Sequence, residues 1–247
     1  MADPLDALRA DPAVTAILTD FDGTLSPIVD DPAVAAPLPG AVEVLHDLAD
    51  RYAVVGVISG RPVSYLLDRL GDRLWLSGLY GLEEVEGGRR IESPVAADWR
   101  PVVDAVAGPA AERFGARVVE HKGLSITLHF RTDPEIGPDV RRWAAERAEA
   151  AGLEVRSAKA SVELHPPVRV DKGTVVERAA ADARAVCFLG DDVGDLPAFD
   201  ALDRLAARGI DTVRVAVQTP EAPLEVLERA DVVVDGPEGA LALLRTL

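Results

Sequence analysis

Five short apolar runs, each stopped by a turn signal, limit what this chain can fold into. They are VTAILT (14–19), AVVGVI (53–58), AVCFL (185–189), VRVAV (213–217) and DVVV (231–234). Runs of this kind, rich in β-branched residues and without polar alternation, suit strands buried on both faces of a parallel sheet. Amphipathic segments lie between them: 40–51, RPVSYLLDRLG at 61–71, 173–183, and 195–208 closed by Gly209. Pro62 near a start and Gly71 just past an end have the asymmetry of helix boundaries. Strand and helix alternating in this way predict a doubly wound α/β sheet.

The middle of the chain has a different rhythm. From 99 to 168 the pattern predicts helix (VVDAVAGPAAERF), strand (ARVVEH), strand (LSITLHFR), helix (EIGPDVRRWAAERAEAAG), strand (LEVRS) and strand (ASVELHP). An αββαββ order with alternating strands favours an antiparallel sheet with helices on one face. The expected organisation is a core of 1–98 with 169–247, and a smaller α+β domain, 99–168, inserted into it. With 247 residues and 48% hydrophobic content there is ample material for a packed interior. The amino terminus MADPLDALRADP lacks a basic segment followed by an apolar one, and no apolar stretch approaches the ~20 residues needed to span a bilayer. The expectation is a soluble, cytoplasmic chain. Its single cysteine, Cys187, sits inside AVCFLG as a small buried hydrophobe, and one cysteine builds neither a disulfide nor a zinc site.

A net charge of −16 argues against nucleic acid or an anionic membrane as partner. Of 26 basic residues only Lys122, Lys159 and Lys172 are lysine. An ammonium and a guanidinium are not interchangeable at a binding site, so these three positions stand out.

In an open α/β sheet ligands bind beyond the carboxyl ends of the strands. Asp20 and Asp22 follow the first run, Ser59, Gly60 and Arg61 the second, and Asp191 and Asp192 follow AVCFLG. Singly, each is an ordinary turn or cap. Together with Lys172 they supply a nucleophile, a proton donor, metal ligands and a cation. Positions two apart in extended backbone face the same way, so Asp20 and Asp22 can address one phosphorus. Asp20 would attack it, and Asp22 would protonate the leaving oxygen and then deprotonate the hydrolytic water. Asp191 would join Asp20 in holding Mg²⁺, while Ser59, a helix amino terminus and Lys172 would hold phosphoryl oxygens. A calcium loop fails on spacing, since the sixth position from Asp20 is Leu25 and the twelfth Asp31. No Walker phosphate loop and no G-x-S-x-G elbow occurs.

DFDGT after a strand, a serine ending a second, a lysine, and GDD ending another resemble the four motifs of the haloacid dehalogenase superfamily, in the same order. The resemblance implies the superfamily's doubly wound parallel core, here with an inserted α+β cap. The acid at Asp22 favours a phosphatase or phosphomutase within it. The strings LTDFDGTLSPIVDDP, VISGRP, GLYGLEE, VEHKGLSITLHFR, VELHPP followed by DKG, and LGDDVGDLPAF are more narrowly similar to the trehalose-6-phosphate phosphatases. That similarity implies Mg²⁺-dependent hydrolysis of trehalose 6-phosphate through an aspartyl phosphate, in functional pairing with a trehalose-6-phosphate synthase. It carries the metal onto Asp20, the backbone carbonyl of Asp22 and Asp191, with Asp192 and Asp195 behind them. It carries sugar binding onto Glu120 and Lys122, Arg131, and Lys159 and Glu163, brought over the core by cap closure. Gly60 and Arg61 would adjoin the phosphate. Arg61, His121, His129 and His165 remain divided between substrate contact and packing.

Two departures from the family pattern stand out. GDDVGDLPAF has Gly194, Leu196 and Pro197 where relatives commonly carry a hydroxyl and two acids, and Tyr80 stands where histidine is common. Phosphatases of sucrose phosphate, mannosyl-3-phosphoglycerate or a hexose phosphate keep the same chemistry. A non-catalytic sugar-phosphate sensor would be expected to lack Asp20 or Asp22.

Overall fold

The computed structural model describes residues 3–157, 160–220 and 222–247. Lys159, expected to bind sugar, lies outside them. The strands are β1 (Thr15–Thr19), β2 (Val54–Ile58), β3 (Trp75–Gly78), β4 (Glu83–Glu86), β5 (Arg89–Glu92), β6 (Val119–His121), β7 (Ile126–His129), β8 (Glu154–Ser157), β9 (Ser161–His165), β10 (Ala185–Gly190), β11 (Asp211–Gln218) and β12 (Val232–Asp235). Eight form one sheet in the order β12-β11-β10-β1-β2-β3-β4-β5, and four form another in the order β6-β7-β9-β8.

In the large sheet the neighbours from β12 to β3 pair in parallel, and β4 turns antiparallel to β3. Every residue of β1 and β10 is buried, as two-sided burial requires. Alternate side chains feed two cores. Ile17, Val55, Val57, Cys187 and Leu189 pack with Leu45, Leu66 and Leu244 of one helical layer. Ala16, Leu18, Val186 and Phe188 pack with Val175, Val176, Phe199 and Leu202 of the other. This is the doubly wound parallel sheet with helices on both faces. Cys187 is buried in the first core, and burial pushes its thiol up to about 12.

The chain divides into two compact units, Met1–Ile91 with Val170–Leu247, and Glu92–Arg169. The first crossing thus falls at 91/92, where the sequence suggested 98/99. Arg100 pairs with Glu92 at 2.8 Å, tying that segment to the inserted unit. The inserted sheet is wholly antiparallel. Helices Arg100–Phe114 and Gly137–Ala151 cover one face, where Val103, Ala110, Trp143 and Ala144 meet Ile126, Leu128, Val162 and Leu164. The opposite face is polar. Among the described residues, no helix is long and apolar enough to cross a membrane.

Candidate active site

The register of the large sheet assembles the first group of residues. Thr19 of β1 lies beside Leu189 of β10, and the Asp20 N–H donates to the Leu189 carbonyl at 2.8 Å. Asp20 and Asp191 therefore leave adjacent parallel strands at the same end. Lys172 opens the helix Lys172–Ala179, whose first turn is fixed by a capping box between Asp171 and Thr174. Its Nζ lies 2.9 Å from Asp20 Oδ1 and 2.6 Å from Asp195 Oδ1. Asp195 is fully buried, and its Oδ2 accepts the backbone N–H groups of Asp191 at 3.0 Å and Asp192 at 3.1 Å. It orients both the lysine and the loop that carries Asp191.

Asp20, Asp191 and Asp195 each place a carboxylate oxygen within 4.8 Å of the others. Among the described residues, one buried ammonium, that of Lys172, answers these three carboxylates. Burial raises the Asp20 carboxyl well above the usual range, with Lys172 opposing the shift and Asp195 adding to it. Burial and then the charges of Asp20 and Asp195 push Asp191 up to about 9. Burial alone would lower Lys172, yet Asp195 and Asp20 hold it above the ordinary lysine value. A set of hard oxygen donors short of positive charge fits a small divalent cation. Gly23 fits the same site: its φ is +80°, and a Cβ there would meet Asp191 Oδ2 at 2.1 Å. The carboxylate occupies space that only glycine leaves open.

Asp22 does not point into this trio. Arg61 Nε donates to its Oδ2 at 2.8 Å and Nη2 to its Oδ1 at 2.7 Å, a bidentate pair joining residues 39 apart in sequence. Arg61 also donates to the Pro32 carbonyl at 2.9 Å and stacks 4.5 Å over the Tyr65 ring. The sequence offered Arg61 as a phosphate contact; the structure gives its fork to Asp22. Ser59 is buried, and its Oγ accepts the Arg61 N–H at 3.2 Å, leaving the hydroxyl hydrogen available to an anion. Asp192 is exposed and caps the turn Val193–Asp195, accepting the Gly194 N–H at 3.4 Å.

The second group lies on the polar face of the inserted sheet. Register places Glu120 of β6 beside Thr127 of β7, Thr127 beside Glu163 of β9, and Glu163 beside Arg156 of β8. Ser125 Oγ donates to Glu163 Oε1 at 2.6 Å, Lys122 Nζ lies 3.8 Å from Glu163 Oε2, and His129 Nε2 lies 2.8 Å from Glu120 Oε2. Arg131 comes two residues after β7 ends. Glu120, Lys122 and Glu163, separated by up to 43 positions in sequence, thus share one face. His129, which the sequence left divided between substrate contact and packing, belongs to that face; Ser125 and Thr127 belong to it too and were missed, and the period-two alternation of LSITLHFR was the signal that could have found them. His121 turns instead to Asp104 at 2.8 Å, and His165 Nδ1 lies 2.8 Å from the Pro166 carbonyl.

The trehalose-phosphatase family model matches residues 18–231, taking in both groups and the whole inserted unit. The chain belongs to that family. It is 35% identical over 222 residues to a trehalose-phosphate phosphatase of Mycobacterium ulcerans, covering 82% of this chain and 56% of that protein. The chain spans about half the length of the curated relatives it matches. The C-terminal domain of the Candida albicans trehalose-6-phosphate phosphatase has the same fold, with a TM-score of 0.80 at 24% identity over 98% of this chain and 95% of that one. The Aspergillus fumigatus trehalose-6-phosphate phosphatase gives 0.65 at 27% identity, over 99% and 97%. The architecture is therefore haloacid dehalogenase-like, as the motifs implied.

Proposed function

We propose that this chain hydrolyses trehalose 6-phosphate to trehalose and inorganic phosphate. The observation that carries the reading is the Asp20–Lys172–Asp195 chain of contacts with Asp191 beside it at the ends of β1 and β10. Asp20 is the nucleophile: one of its oxygens forms a bond to phosphorus as the bond to the sugar oxygen breaks, leaving an aspartyl phosphate. Asp22 gives its proton to the departing sugar oxygen. It then takes a proton from the water that attacks the aspartyl phosphate, releasing phosphate and restoring the Asp20 carboxylate. Arg61 aims Asp22 during this exchange. Lys172 and the Ser59 hydroxyl hold phosphoryl oxygens as their charge redistributes, and Gly60 lets the Ser59–Arg61 loop approach them. Asp20, Asp191 and the Asp22 carbonyl are the ligands proposed for Mg²⁺, with Asp195 and Asp192 supporting them. When bound, Mg²⁺ supplies charge neutralisation between the carboxylates and the phosphate.

Glu120, Lys122, Arg131, Lys159 and Glu163 are assigned to the sugar. Carboxylates accept from hydroxyl groups and ammonium or guanidinium groups donate to them, which suits a polyhydroxylated ligand. The substrate implies a synthase upstream of this step, and the site of action is taken to be the cytoplasm. No nucleic acid or membrane partner enters the reading.

The test is phosphate release from trehalose 6-phosphate, sucrose 6-phosphate, glucose 6-phosphate and mannosyl-3-phosphoglycerate, with Mg²⁺ or with EDTA. Wild type is expected to prefer trehalose 6-phosphate and to need the metal, and Asp20→Asn to lose turnover. Preference for another sugar phosphate would keep the chemistry and overturn the sugar assignment. Ordinary turnover by Asp20→Asn would remove the nucleophile.

A further inference from the structure

Arg61, Tyr65 and Arg69 stand four residues apart along the helix Val63–Leu70 and the turn that opens it, a spacing that sets side chains on one face. All three donate to carbonyls of the segment 32–35: Arg61 Nη1 to Pro32 at 2.9 Å, the Tyr65 hydroxyl to Ala35 at 2.7 Å, Arg69 Nε to Ala35 at 2.8 Å and Arg69 Nη2 to Ala33 at 2.8 Å. The half-buried Tyr65 ring is the centre of the group. The guanidinium carbon of Arg61 lies 4.5 Å over the ring centroid, and that of Arg69 lies 3.5 Å from it. Phe21, fully buried and placed between Asp20 and Asp22 in the chain, meets the same ring edge to face, with centroids 5.8 Å apart and planes at 88°.

One ring thus touches both residues that control where Asp22 stands. Arg61 holds the Asp22 carboxylate through its fork, and Phe21 precedes Asp22 in the backbone. The hydrogen bonds to Asp22 and Pro32 direct the guanidinium within its own plane, because its donors all lie in that plane. The face of the Tyr65 ring resists movement out of it, and the attraction between cation and ring makes the contact favourable even at a partly exposed site. An aliphatic side chain could fill the space but could not supply a flat, electron-rich face. We propose that Tyr65 is a positioning residue for the acid step: its ring holds Arg61 and Phe21 so that the Asp22 carboxyl is aimed at the departing oxygen. The proposal rests on the role given above to Asp22 and adds to it a residue that acts through two others.

A leaving group that departs as a stable anion needs no proton, so a defect in the acid step shows on poor leaving groups and disappears on good ones. The experiment measures kcat/KM of wild type, Tyr65→Leu, Tyr65→Phe and Asp22→Asn on phenyl phosphate and on 2,4-dinitrophenyl phosphate, with Mg²⁺ present. This ratio reports cleavage of the ester and not the later hydrolysis of the aspartyl phosphate. Tyr65→Leu is expected to lose about tenfold on phenyl phosphate and less than about twofold on the dinitrophenyl ester, and Tyr65→Phe, which keeps the ring, to stay within about threefold on both. Asp22→Asn is the reference and is expected to show the same selectivity more strongly. Uniform loss, or none, in Tyr65→Leu beside a selective loss in Asp22→Asn would overturn the proposal alone. A selective loss in Tyr65→Phe as large as that in Tyr65→Leu would overturn it too, because the hydroxyl and not the ring would then be at work. Uniform loss in Asp22→Asn would remove the acid itself, and the proposal with it. Should Tyr65→Leu not fold, Tyr65→Met, unbranched and adaptable, takes its place under the same expectations. If wild type hydrolyses neither ester, crystal structures decide: an Arg61–Asp22 fork kept in Tyr65→Leu overturns the proposal, and a broken one supports it.

Discussion

The guanidinium of Arg61 and the carboxylate of Asp22 meet through two parallel hydrogen bonds, a geometry that a lysine cannot reproduce. Arg61→Lys keeps the charge and loses the fork, so kcat on trehalose 6-phosphate is expected to fall about tenfold or more while KM changes little. Unchanged kcat in steady-state assays would show that the fork does not aim the acid. His165 makes a prediction about pH. Burial first, and the charge of Arg156 second, lower its pKa from the ordinary 6.5, so the folded chain holds it neutral where the unfolded chain takes up a proton. Its contribution to stability is complete above 6.5 and is lost as pH falls through the depressed folded value. Between about pH 7 and about pH 5 the urea midpoint is expected to drop more in wild type than in His165→Asn, and equal drops would contradict this.

At the level of elements, the strands that the sequence disclosed are those buried on both sides. VTAILT and AVCFL became β1 and β10, the all-buried centre of the sheet. The strands it concealed, β3 to β5, lie toward one edge: WLSG is short and glycine-ended, EEVE is charged, and RRIE is largely exposed. Edge strands carry charge because one side lacks a covering partner, so neither apolar runs nor alternation marks them. The central strands also hold the steepest energetic gradients. Phe188 of β10 is fully buried and meets Phe199 edge to face, with ring centroids 6.4 Å apart. Phe188→Ala is expected to cost about 3–5 kcal/mol in chemical denaturation, by lost transfer energy and the cavity it leaves. A cost below about 1 kcal/mol would mean that the helix Leu196–Ala206 collapses onto the strand.

For the whole molecule, the division into units separates a continuous segment from a discontinuous one. Residues 92–169 own a complete core, from Val103 to Leu164, and are expected to unfold cooperatively when expressed alone. Mg²⁺ is expected to raise the Tm of the full chain, by the equivalent of about 2.7 kcal/mol at a hundredfold excess over Kd, and to leave the excised unit unchanged. A cation response in residues 92–169 alone would move the metal site away from Asp20 and Asp191. Taken by itself, the sequence determined the doubly wound parallel core and the αββαββ order of its insert, and it nominated the residues proposed for the core site. These follow from local signals: hydrophobic period, turn chemistry, and functional residues placed where strands end. Only the tertiary structure decided that Arg61 belongs to Asp22, that Asp195 binds Lys172 directly, and that Tyr65 lies against Phe21. Those contacts join residues far apart in the chain, and strand register and helix packing, which no local window contains, bring them together.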